Sequence, residues 1–212
     1  MAISYNQAAP MASRQSRYEL TPDMLLYAYS VGIFPMADSD TGEVHWYQPK
    51  MRAIIPIDTF KPPRSLRQVI KKGIFEVRLN TAFEQVMRNC ATERGDGLGT
   101  WISEEMIDAY TRLHHLGYAH SVETFLNGQL VGGLYGVAIG AAFFGESMFY
   151  RVSNASKVAF VALIERLRAR GFELLDSQYI NDNVRRFGAI EIPHHIYIER
   201  LQAALRKPVS FV

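Results

Sequence analysis

Residues 119–150 read AHSVETFLNGQLVGGLYGVAIGAAFFGESMFY, and their reading decides the fold. Three runs of strand character, over 119–126, 130–139 and 141–149, follow one another, and the first two are joined by Asn127-Gly128, a strong hairpin signal. The text predicts an antiparallel meander. Directly behind it, Ser153-Asn154-Ala155-Ser156-Lys157 opens an apolar helix over 154–170, which closes at Gly171, and a strand over 172–178 emerges from it. Meander, long helix and returning strand together predict an α+β sheet with helices packed on it.

Upstream, residues 75–79 alternate like a strand and 82–90 read as a helix. The run Arg94-Gly95-Asp96-Gly97-Leu98-Gly99 reads as a flexible loop that delivers Trp101. Ser103 then caps a helix reaching His115, with Glu104 and Glu105 in its first turn and Gly117 just past its end. Farther back, Thr21, Pro22 and Asp23 start a helix over 21–29 that Gly32 and Pro35 end. Residues 45–47 and 53–57 suggest short strands, and Pro62-Pro63 precedes a basic amphipathic helix over 65–72. After residue 178, a polar helix near Asn183 and a last helix over 193–206 complete the chain. The expected division is a frayed extension over 1–17, a small N-terminal domain over 18–73 and a main domain over 74–212.

Composition narrows the class. With 212 residues, 48% hydrophobic and 21% charged, the chain can bury a sizeable core and is neither disordered nor fibrous. No apolar run approaches the roughly 20 residues that span a bilayer, and the polar Ala/Ser/Gln-rich start does not resemble a secretory signal. A single cysteine, Cys90, excludes an internal disulfide or a cysteine-based zinc cluster and fits a reducing cytoplasm. The net charge of +2 is small, but Lys61, Arg64, Arg67, Lys71, Lys72 and Arg78 crowd into one region.

Chemistry concentrates between residues 145 and 182. Glu146 follows Gly145, and Asp176, Gln178, Asn181 and Asp182 cluster at the end of an apolar strand. Polar groups at the ends of segments apolar enough to be buried cost about 2–7 kcal/mol each unless they find partners. A pocket with a polar mouth satisfies that requirement. The histidine pairs His114-His115 and His194-His195 are adjacent residues whose side chains diverge on a helix, so neither pair makes a metal site.

Several motifs in one order carry a resemblance: Tyr29-Ser30-Val31-Gly32-Ile33-Phe34-Pro35, Gly99-Thr100-Trp101-Ile102, Ala119-His120-Ser121-Val122-Glu123, Gly132-Gly133-Leu134-Tyr135-Gly136, Gly145-Glu146-Ser147-Met148-Phe149 and Gly188-Ala189-Ile190-Glu191-Ile192-Pro193. In these the sequence resembles the leucyl/phenylalanyl-tRNA protein transferases. The resemblance implies a small N-terminal domain joined to an acetyltransferase-like (GNAT-like) mixed sheet flanked by helices. It implies transfer of Leu, and also Phe or Met, from aminoacyl-tRNA to proteins that begin with Arg or Lys, marking them for degradation, with no metal and no dissociable cofactor. Leu134, Phe143, Met148, Phe160, Leu163 and Leu175 would line the pocket for the donor side chain, and Trp101 would stack on the terminal adenine. Asp176 and Gln178 fall at the reaction centre and Glu146 at its mouth. Trp46, with Lys61, Arg64, Arg67, Lys71 and Lys72, would meet the tRNA. Two features depart from the family pattern: Tyr47 stands where a second Trp is common, and the chain stops soon after Arg206, short of the tail some members carry. The implied partners are aminoacyl-tRNA and basic acceptor proteins, and the expected state is a cytoplasmic monomer away from membranes.

The same residues read chemically give an amine attacking an activated ester. An α-amino group with a pKa of about 7.7–8 is roughly a tenth neutral at pH 7, and alignment beside the ester supplies effective molarities of order 10⁵ M, so no strong base is required. Gln178 is expected to accept a hydrogen bond from the amine, while Asp176, two residues earlier on the same strand face, orients it. Without the resemblance Asp176 could instead cap a turn or pair with an arginine such as Arg185, the apolar side chains could be plain core, Trp101 could anchor a helix, and the basic helix could be a solvated face. Acids suited to a basic acceptor are Glu146, Asp176 and, more weakly, Glu191. Competing readings are a coenzyme-A-dependent N-acetyltransferase, a transferase from tRNA to peptidoglycan, and a non-catalytic tRNA-binding module. The first needs a glycine-rich phosphate cradle, and Phe149-Tyr150-Arg151-Val152-Ser153-Asn154 has no glycine.

Overall fold

A computed structural model of the chain describes residues 19–92 and 100–212. The expected extension at 1–17 and the loop at 94–99 lie outside these residues. The elements are α1 (Pro22–Ser30), β1 (Phe34–Ala37), β2 (Val44–Tyr47), β3 (Met51–Ile54), α2 (Arg64–Lys71), β4 (Glu76–Leu79), α3 (Phe83–Ala91), α4 (Glu104–His115), β5 (Ala119–Leu126), β6 (Gln129–Ile139), β7 (Ala142–Tyr150), α5 (Ala155–Arg170), β8 (Leu174–Gln178), α6 (Asp182–Arg186), β9 (Ile190–Pro193) and α7 (His194–Leu205).

Local signals act where the sequence puts them. The Thr21 and Ser103 hydroxyls accept from the Met24 and Met106 backbone amides, satisfying donors that a helix start leaves open. Asn127 and Gly128 both take positive φ, 51° and 76°, which the tight hairpin between β5 and β6 demands. Gly171 ends α5 in the left-handed region, at φ 79°.

Seven strands form one sheet in the order β4-β5-β6-β7-β8-β3-β9, and β1 pairs with β2 apart from it. All neighbours are antiparallel except β7 and β8, which are parallel and therefore need the crossover that α5 supplies. Both faces of the sheet are covered. On one side Tyr135, Val137, Phe144 and Leu174 join a core with α1, α3, α4 and α7; on the other, Leu134, Ala138, Phe143 and Leu175 join a core with α5 and α2. The alternation of odd and even positions between two buried faces explains why β6 and β7 read as nearly continuous apolar runs.

The parallel ladder is short. It runs from Ala142↔Leu174 to Phe144↔Asp176 and stops, although β7 continues to Tyr150. Beyond Phe144 the two strands part and leave an opening in the middle of the sheet. Close packing brackets it: a Cβ on Gly136 would lie 2.5 Å from Phe143 Cε1 and still closer to the Phe144 carbonyl oxygen. Gly136→Ala is therefore expected to destabilise the protein by about 1–3 kcal/mol through overpacking, read as a lower midpoint in urea at unchanged slope.

The expected boundary at residue 73 does not divide the sheet. Residues 51–54, assigned to the N-terminal domain on the sequence, form β3 and pair with both β8 and β9 inside the main sheet. Two strands, β1 and β9, were not foreseen; each is four residues long and is defined by its partner across the ladder rather than by its own pattern.

Candidate active site

The opening between β7 and β8 holds a cavity of about 190 Å³. Ile55, Leu134, Met148, Phe160, Leu163, Leu175 and Phe187 line it from the α5 side, and Met36, Trp101, Tyr135 and Tyr179 from the other side of the sheet. Glu146, Asp176, Gln178, Asn181 and Asn183 supply its polar groups. A greasy wall with a few convergent polar groups is the usual form of a small-molecule site.

Most of the expected residues meet here. Leu134, Met148, Phe160, Leu163, Leu175, Trp101, Glu146, Asp176 and Gln178 all line the cavity. Phe143 does not. It is fully buried in the neighbouring core, 5.4 Å from the Phe211 ring and 6.4 Å from that of Phe172, because it precedes the point where the strands part. Glu191, exposed on β9 opposite Ala53, also lies off the cavity. Trp46 on β2 is half-buried against the α1/α3/α4/α7 core. Lys61, Arg64, Arg67, Lys71 and Lys72 are exposed on α2 and its flanks, away from the cavity, and α2 sits on α5 through buried Leu66. No three His, Cys, Asp or Glu side chains among the described residues converge as metal ligands would.

Glu146 owes its orientation to a β-bulge. Gly145 pairs with Gly136 and Ser147 with Tyr135, so Glu146 is the extra residue on β7, and a bulge re-aims its side chain. Its Oε1 accepts from Tyr29 Oη at 2.6 Å and from Gln178 Nε2 at 2.8 Å. Tyr29 Oη in turn shares a short hydrogen bond with Tyr110 Oη. Among the described residues, Glu146 Oε2 and Tyr135 Oη are buried without hydrogen-bond partners. Burial, reinforced by the charge of Asp176 and only partly opposed by the Tyr29 hydrogen bond and Arg52, pushes the Glu146 carboxyl up to about 8. At neutral pH it is mostly a neutral acid.

Asp176 is enclosed by donors. Its Oδ1 accepts from Arg52 Nε and from the Gln178 backbone amide, each at 2.9 Å, and its Oδ2 from Arg52 Nη2 at 2.6 Å and Tyr197 Oη at 2.7 Å. Arg52 and Asp176 are both fully buried. The guanidinium lies 4.6 Å from the ring centres of both Phe34 and Tyr197, and its Nη1 donates to the Gly32 carbonyl at 3.1 Å. Burial works against the Arg52 charge, but the Asp176 carboxylate outweighs it and holds the guanidinium above its ordinary range.

Two expectations change in consequence. Asp176 pairs with Arg52, not Arg185, and has no edge left for a substrate. Gln178 does not continue the strand face either: its φ of 62° lies in the left-handed region, which costs a residue with a Cβ about 1–2 kcal/mol. The bond from its amide to Asp176 holds it there, and its side chain turns to Glu146. Sequence reasoning missed Arg52, Tyr29, Tyr110 and Tyr197. Arg52 alone carried a signal, as a charge followed by the apolar run Ala53-Ile54-Ile55-Pro56-Ile57.

Comparison with known proteins follows the same outline. Residues 54–202 match the profile of the family described as leucyl/phenylalanyl-tRNA protein transferase, and residues 18–50 that of its N-terminal domain. The chain is 55% identical over 188 residues to the leucyl/phenylalanyl-tRNA protein transferase of Chlorobaculum parvum, covering 89% of this chain and 97% of that one. The corresponding protein of Gloeobacter violaceus is 52% identical over 192 residues, covering 91% and 97%. Among solved structures FemX superimposes with a TM-score of 0.52 at 14% identity, over 81% of this chain and 66% of that one, a likeness of fold alone.

Proposed function

The chain belongs to the leucyl/phenylalanyl-tRNA protein transferase family, and on that premise we propose that the cavity between β7 and β8 is where an aminoacyl ester meets the amine of its acceptor. The enzyme is an aminoacyltransferase that moves Leu or Phe from tRNA to proteins. The observation that carries the placement is the union of an apolar wall with the Glu146–Gln178 pair at one opening in the sheet.

In this reading the donor side chain, Leu, Phe or Met, fills the space among Leu134, Met148, Phe160, Leu163 and Leu175. Met148 adapts the wall to side chains of different shape, and narrowness near the donor Cβ rejects β-branched ones. Gln178 donates from its Nε2 to Glu146 Oε1, which leaves its own side-chain carbonyl oxygen to accept a hydrogen bond from the attacking amine. The amine nitrogen bonds to the ester carbonyl carbon, the carbon–oxygen bond to the tRNA ribose breaks, and the proton shed by the amine accompanies the departing ribose oxygen. Neither metal nor coenzyme takes part. Acceptors beginning with Arg or Lys place their charge near Glu146, and the product is marked for degradation in the cytoplasm. Lys61, Arg64, Arg67, Lys71 and Lys72, none of them ion-paired within the described residues, meet tRNA phosphates in a salt-sensitive manner.

The test is direct. Purified protein incubated with Leu-tRNA and an Arg-initiated peptide should return the peptide one Leu longer, and an unaltered peptide would refute the proposal. Trp101, half-buried at the cavity wall, is assigned to the terminal adenine. Trp101→Ala is expected to raise the KM for aminoacyl-tRNA about fivefold to 150-fold, the range that loss of a base-stacking platform worth about 1–3 kcal/mol implies, while kcat at saturation changes little.

A further inference from the structure

We infer that Arg52 is a positioning residue for transfer: by clamping Asp176 it fixes the backbone of Gln178 and so presents the Gln178 amide to the amine. This inference rests on the proposed function for its kinetic consequence, though not for its structural one.

The linkage is continuous. Arg52 on β3 and Asp176 on β8 meet across neighbouring strands, with Ile54 opposite Asp176 and Ala53 opposite Gln178 in a register that shifts between the two pairs. Arg52 binds both Asp176 oxygens, and Tyr197 occupies the second. The first oxygen is thereby aimed at the Gln178 amide, the bond that compensates its left-handed backbone. At the far end the Gln178 side chain closes on Glu146. Each oxygen of the buried Asp176 carboxylate already accepts at least two hydrogen bonds from Arg52, Tyr197 and the Gln178 backbone, so Asp176 and Arg52 act on the reaction through the shape they give Gln178.

A lysine at 52 would retain the charge but not the planar fork that satisfies two carboxylate oxygens and the Gly32 carbonyl together. Charge and geometry are thus separable by one substitution. A residue that merely held the fold would lower the melting midpoint and leave kcat per folded molecule as it was. Positioning predicts a different pattern.

The experiment compares the full chain with Arg52→Lys and with Tyr197→Phe, which deletes one hydroxyl and keeps the ring. Kinetics use Leu-tRNA and an Arg-initiated peptide, with kcat corrected for the folded fraction by circular dichroism. Exchange of the Gln178 amide hydrogen is followed by NMR. Arg52→Lys should lower kcat at least tenfold with the KM for Leu-tRNA within threefold, and should speed Gln178 amide exchange at least tenfold relative to amides elsewhere in β8. Tyr197→Phe should shift both readouts in the same direction by a smaller factor, and it decides the matter should Arg52→Lys fail to fold. An unchanged kcat, a loss confined to KM, or a Gln178 amide that keeps its protection in the decisive variant would overturn the inference. If the parent chain transfers nothing, the proposed function fails, while amide exchange still judges the Arg52–Gln178 linkage.

Discussion

Asp176→Ala is expected to lower stability by about 3–5 kcal/mol and to reduce kcat by about a hundredfold or more. The first figure is the cost of leaving a buried charge without its partner: Arg52 is fully buried, and all four donors grouped around Asp176 would face a void. The second follows from Gln178, whose left-handed backbone loses the acceptor that holds it. The two effects come apart in the double variant Arg52→Met with Asp176→Ala. Removing both charges spares the unpaired-ion penalty, so urea denaturation should show much of the stability regained, with the singles strongly non-additive. Transfer should stay lost. A double variant that recovered both stability and rate would mean that Asp176 serves only the fold, and an Asp176→Ala protein with the parental kcat would remove it from the mechanism altogether.

Glu146→Gln is expected to flatten the pH dependence of stability and to weaken acceptor use at least tenfold. In the folded protein the Glu146 carboxyl titrates near 8, against 4.5 when free of its surroundings. Between those values the native state keeps a proton that the unfolded chain has shed, so stability falls as pH rises from about 4.5 through 8, by at most about 5 kcal/mol. Besides burial, the groups that set this titration are Tyr29 on α1, Arg52 on β3, and Asp176 and Gln178 on β8, while Tyr110 on α4 and Tyr135 on β6 face the carboxyl and have their own hydroxyls pushed up by its charge. Glutamine mimics the protonated acid. Its carbonyl can accept from Tyr29 and Gln178 as Glu146 Oε1 does, so the variant should match the parent in melting midpoint at pH 5 and exceed it at pH 8.5. Melting curves that differ by the same amount at both pH values would refute the assignment. In kinetics the loss should fall on the KM for an Arg-initiated peptide, because glutamine cannot acquire the charge that a cationic acceptor induces on the acid, and the KM for Leu-tRNA should hold.

Much of this molecule could be read before any coordinates. The Thr21 and Ser103 caps, the Asn127-Gly128 turn, the Gly171 stop and the apolar runs of β6 and β7 are local statements, made by residues within a few positions of one another, and each appears where the text puts it. Spacing also puts Leu134, Met148, Phe160, Leu163 and Leu175 among buried apolar residues, while their place in the pocket wall was what the resemblance implied. Periodicity names a face, however, and says nothing of where two strands part. Phe143 and Met148 both pack on the face that α5 covers; only the end of the β7–β8 ladder at Phe144 sends one into the core and leaves the other at the cavity.

The amino-acid order by itself determined most of the elements with their caps and turns, because hydrogen bonds and burial over a few residues favour one backbone state strongly. Tertiary structure alone decided the insertion of β3 between β8 and β9, the bulge that turns Glu146, and the pairing of Arg52 with Asp176 across 124 positions. A buried charge must find an opposite one, but the energy that demands the partner is indifferent to sequence distance. Which carboxylate answers is settled only when the strands have taken their places.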